Sequence, residues 1–96
     1  MHFFHLLKRF LKDVNDFDSF NLFLGEKISD RSKDTSCLQL KNWKDTTHNF
    51  LWNKRKGSFE PNEMTDYIYQ IRLTVHNLIK RDRQLFDEIR DFFIEK

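Results

Sequence analysis

The sequence predicts an all-α fold: a small bundle of three to four helices, ending in a long C-terminal helix that either kinks or overhangs the body. Three observations predict it. Apolar residues recur at steps of three and four along most of the chain. Alternation of period two never lasts beyond a few residues. Cap-forming polar residues punctuate the apolar stripes at intervals that suit helices. Ninety-six residues make one domain, able to close a single core without disulfides or metals.

The first helix is expected over about residues 2–15, where Phe3, Leu7, Phe10 and Val14 form one stripe that Leu6 and Leu11 widen. Asp16, Asp18 and Ser19 offer capping oxygens for a short second helix over 18–24, carrying Phe20, Phe23 and Leu24 inward. Gly25 is read as its stop, followed by a polar loop over 25–35. A third helix over 36–56 starts after Asp34, Thr35 or Ser36, with Leu40, Trp43, Thr47, Phe50 and Leu51 as its stripe and Gly57 as its end. Glu60-Pro61 opens the last helix, since proline is tolerated in a first turn.

That last helix, over 61–95, would extend about 50 Å at ~1.5 Å per residue. A compact chain of this length has a radius of gyration of only about 12–13 Å. The natural break is "KRDRQ", because Asp82 falls in the middle of the stripe formed by Ile68, Ile71, Val75, Leu78, Leu85, Ile89 and Phe92. A lone carboxylate there must be paired, exposed at a kink, or set at an interface. If the helix did not break, its overhanging apolar end would need cover from the N-terminal helix or from a second copy, so a homodimer stays open at this point.

Composition narrows the function classes. Eleven phenylalanines exclude a disordered chain, and 17 basic against 15 acidic residues fall short of the basic excess of a dedicated duplex binder. Cys37 is the single cysteine, so no intramolecular disulfide forms and a reducing, cytoplasmic setting is expected. No apolar run reaches the roughly 18 residues of a membrane span, and the first residues lack the pattern of a secretory signal, so no stable membrane insertion is expected. The absence of alanine, with abundant Phe, Lys, Asn, Ile and Asp, matches AT-rich codons and hints at a phage or mobile element.

No catalytic constellation is legible. The carboxylates sit at helix ends and solvent faces, and glycine occurs twice only, so no phosphate loop exists. His2 and His5 form a bare HxxH, while Cys37, His48 and His76 stand apart, so neither a metal nor a cofactor is expected. The expectation is a protein that is not an enzyme.

What the helical stripes leave over points to partners. Tyr69, Leu73 and His76 follow a spacing of four and three away from the core stripe, and Arg72, Lys80 and Arg83 share their sector. Trp52 and Leu38 face outward on the third helix, near Lys56 and Lys41. Tyr, Trp and Arg dominate interface hot spots. Trp52, Lys56, Tyr69, Arg72, Leu73, His76, Lys80 and Arg83 are therefore the candidate partner-binding residues. The expected function is a small module that occupies a protein partner's surface, as an immunity protein, an antitoxin, a phage-encoded inhibitor of a defence enzyme or a small helical subunit does.

Two alternatives draw partly or wholly on other residues. A nucleic-acid-binding accessory would use Lys41, Lys44, Lys54, Arg55, Lys56, Lys80, Arg81 and Arg83 as a stripe, with Trp43 or Trp52 stacking a base. Against it, bases in a helix's last turn already meet bare carbonyls, so Lys54, Arg55 and Lys56 also read as helix punctuation. Membrane-surface association would use "FFHLLKRFLKDV", with Lys8, Arg9 and Lys12 at the headgroups.

Overall fold

The computed structural model describes residues 3–11, 16–31, 34–55 and 61–95. They form five helices: α1 (Phe3–Phe10), α2 (Asp16–Asp30), α3 (Thr35–Arg55), α4 (Pro61–Arg81) and α5 (Arg83–Glu95), with no strand among the described residues. The bundle has five members rather than three or four. The additional one arises because the expected last helix is two helices, α4 and α5, parted by Asp82 alone.

A side chain makes that break. Asp82 Oδ1 accepts the Leu85 amide at 3.1 Å, which is the N-cap bond of α5. Its Oδ2 accepts from the Ser36 hydroxyl at 3.2 Å and from Arg31 Nε at 3.4 Å. The odd carboxylate of the stripe is thus both at a kink and paired. The two helices cannot be collinear, because the longest dimension of the molecule is 37 Å and a straight rod over both would need about 50 Å.

Gly25 does not stop α2, which runs on to Asp30 and replaces most of the expected loop. Glycine inside a helix costs only about 1 kcal/mol relative to alanine. The added turns return more than that. Ile28 packs on the core, Lys27 pairs with Glu88 at 2.9 Å, and Arg31, just past the helix, reaches Asp82. Asp34 then caps α3, its Oδ1 accepting the Ser36 amide at 3.4 Å. The end expected for the first helix near residue 15, the stop of the third at Gly57 and the opening of the last at Glu60 lie outside the described residues.

The core is aromatic. Phe93 of α5 meets Phe10 at 4.7 Å, Phe20 at 5.0 Å and Phe3 at 5.5 Å between ring centroids. Phe92 stacks on Phe23 of α2 at 4.8 Å, and Phe86 meets Phe3 at 5.2 Å. These offset and edge-on arrangements are the ones ring quadrupoles favour. The apolar face of α1 is consumed here, with Phe3, Leu7 and Phe10 buried. Phe4 and Leu6 on the same helix are only half-buried. No helix among the described residues is long and apolar enough to cross a membrane.

Candidate functional site

The solvent-facing side of α4 carries the most exposed large apolar residues of the helix. Tyr69 is 76% and Leu73 67% exposed, while Ile68, Ile71, Val75 and Leu78 on the opposite side are buried. The reason is the helical repeat: steps of three and four from Tyr69 keep Leu73, His76 and Lys80 on one sector, away from the core.

This sector borders an open groove of about 690 Å³ between α4 and the start of α1. Tyr69, Leu73 and Ile79 provide apolar wall from α4, Phe4 provides it from α1, and Arg72 and His76 add polar tips. The Arg72 guanidinium lies over the Phe4 ring, 5.2 Å from its centroid, which joins the two walls through a cation–π contact. No acidic residue lines this groove among the described residues.

Four of the eight candidate residues, Tyr69, Arg72, Leu73 and His76, are brought together here. The others are not. Lys80 is exposed one turn further along α4, outside the lining. Arg83 sits on α5, bonded to Asp87 at 3.1 Å and lying over the Phe86 ring. Trp52 is 59% exposed on α3, also outside the groove. Lys56 lies outside the described residues. Phe4 and Ile79 escaped the sequence reading: each stands beside a stripe residue, Phe3 or Leu78, and only the packing of α1 beside α4 makes them groove walls.

Two members of the basic cluster at the end of α3 make contacts within the molecule. Lys54 Nζ donates to the Leu11 carbonyl at 2.7 Å, and Arg55 lies 3.7 Å from Asp18. Trp43, considered above as a base-stacking ring, is fully buried and cannot take that role. Its Nε1 donates to the Tyr67 hydroxyl at 2.8 Å, and Thr47 Oγ1 shares a hydrogen bond with the same hydroxyl at 2.7 Å. Burial pushes the Tyr67 hydroxyl's ionisation above the usual tyrosine range, with the Thr47 and Trp43 hydrogen bonds acting in the opposite direction.

A smaller cleft of about 180 Å³ lies between α3 and α4, walled by Asn49, Asn53, Glu63, Asp66 and Gln70. It is polar where the first groove is apolar. Among the described residues no group of three or more His, Cys, Asp or Glu side chains could hold a metal ion. Cys37 is buried, its Sγ 3.9 Å from the Ile28 carbonyl oxygen, and serves as a small core residue where α2 meets α3.

Comparison with protein-family models, with curated proteins and with solved structures finds no match to this chain.

Proposed function

We propose that the chain is a non-enzymatic binding module whose α1/α4 groove docks on a protein partner and works by covering part of that partner's surface. One observation carries the reading. Tyr69 and Leu73 stand exposed on α4 beside the groove that Arg72 and Phe4 bridge. Leaving two large apolar side chains in water has no benefit for the monomer, since burying each of that size contributes about 1.5–3 kcal/mol. Tyrosine and arginine are enriched at interface hot spots, and apolar side chains around a concavity are the usual lining of a binding site.

Inhibition, immunity to a toxin and assembly into a larger complex would all use this face in the same steric way. Nucleic acid fits the groove less well. Its walls are mainly apolar, and Lys54 and Arg55, which would extend a basic stripe, make contacts inside the molecule.

The test is affinity capture from the source cells with wild type, Tyr69→Ala and Leu73→Glu, each checked for unchanged helical circular dichroism. The expected result is a stoichiometric protein retained by wild type and lost from both variants. Equal retention by all three, or retention of nucleic acid that falls steeply with salt, would contradict the reading.

A further inference from the structure

The junction between α4 and α5 is one residue long, and the stretch from Lys80 to Gln84 contains neither glycine nor proline. Nothing in those residues forbids a continuous helix. Backbone hydrogen bonding comes close to running through. The Asp82 amide donates to the Leu78 carbonyl at 2.8 Å, and the Phe86 amide donates to the Asp82 carbonyl at 3.1 Å. Both bonds span the four residues of an α-helical step. The bend is held by the Asp82 carboxylate, and two of its three donors, Ser36 and Arg31, come from elsewhere in the fold. Local sequence permits a rod, and the Asp82 cap together with its tertiary partners holds the bend.

Past the bend, the buried face of α5 fills a seat made by α1, α2 and α3. Phe86 rests on Phe3, and Phe93 lies among Phe10, Phe20 and Trp43. If α4 and α5 straightened, that face would leave its seat, and the emptied seat would match the same face of any other copy. We infer that two copies of this chain can exchange α5. In the exchanged pair each helix runs straight through Asp82, and its Phe86–Phe93 face occupies the other copy's seat. The contacts formed are those the monomer gives up, so only the junction differs between the two forms, and short hinges between elements favour such exchange.

Asp82 sets the balance. In a continuous helix the Leu85 amide turns to the carbonyl of Arg81, four residues back, and leaves the carboxylate. Asp82→Ala removes all three bonds of the bend and inserts the strongest helix former. Arg83→Pro acts in the opposite direction. Proline suits the first position of a helix, which Arg83 holds in α5, but inside a continuous helix its ring meets the carbonyl of Ile79.

Sedimentation equilibrium tests the exchange without reference to the groove on α4. Asp82→Ala is expected to raise the dimer association constant at least tenfold over wild type, and Asp82→Ala/Arg83→Pro to return it to the wild-type value. Leu73→Glu placed in the Asp82→Ala chain is expected to leave the dimer intact. Wild type refolded from denaturant at high concentration should give a dimer fraction that Arg83→Pro does not, so the question is decided even where Asp82→Ala fails to fold. A folded, monomeric Asp82→Ala overturns the inference. So does a dimer indifferent to Arg83→Pro, a dimer lost with Leu73→Glu, or wild type that refolds to monomer alone while Asp82→Ala does not fold.

Discussion

The indole N–H of Trp43 donates to the Tyr67 hydroxyl at 2.8 Å, between two side chains that are both buried. With Thr47 on the same hydroxyl, α3 and α4 are joined by a polar contact inside an otherwise apolar interface. A buried hydroxyl is expensive unless it is hydrogen-bonded, and here one oxygen serves two partners.

Tyr67→Phe therefore leaves the Trp43 N–H and the Thr47 hydroxyl without that partner. The expected loss is about 1–3 kcal/mol of stability, read as a lower urea midpoint at neutral pH. The same tyrosine gives a pH signature. Its ionisation is raised in the folded protein, so the native state keeps a proton that the unfolded chain releases above a pH of about 10. Its contribution to stability is complete below that pH and falls by roughly 1.4 kcal/mol per unit above it. Urea midpoints between about pH 9 and pH 11 should fall more steeply for wild type than for Tyr67→Phe; parallel curves would contradict the assignment.

Gly25→Ala should stabilise the protein. The position is inside α2, and an added Cβ would meet nothing closer than Lys44 Nζ at 3.6 Å, an ordinary contact distance. The gain from helix propensity and from restricting the unfolded chain is about 0.5–1 kcal/mol. Thermal unfolding should move upward by several degrees, about 4–8 °C per kcal/mol for a domain of this size.

Phe93 and Leu73 should behave as opposites. Phe93→Ala removes a ring buried among Phe3, Phe10, Phe20 and Trp43, with an expected cost of about 3–5 kcal/mol. Leu73→Ala truncates a side chain in solvent and should change stability by no more than about 0.5 kcal/mol. Denaturant melts of the two variants give the comparison directly, and a large loss from Leu73→Ala would mean its face is already covered.

The stripes of α3 and α4 were legible because each helix presents one side to a common core: Leu40, Trp43, Thr47, Phe50 and Leu51, then Ile68, Ile71, Val75 and Leu78, are all buried as their spacing implies. The exposure of Tyr69 and Leu73 followed from the same repeat, by subtraction. Tyr67 was not legible, since α4 is flanked on more than one side and its buried sector is wider than one stripe, taking in Thr74 as well. The persistence of α2 beyond Gly25 was hidden for another reason. The contacts that outweigh a glycine there, Lys27 with Glu88 and Arg31 with Asp82, join residues more than fifty positions apart. Phe4 gained its place in the groove only when α1 settled beside α4, which no local pattern encodes.

Phe3 and Phe93 meet at 5.5 Å although they stand near opposite ends of the chain. During synthesis on a ribosome, the first helix can meet Phe17, Phe20 and Trp43 early, but the Phe86 and Phe93 rings that complete its shelter arrive only when α5 clears the exit tunnel. The nascent polypeptide thus cannot complete this interior before α5 is made, and an adhesive surface stays on display until then.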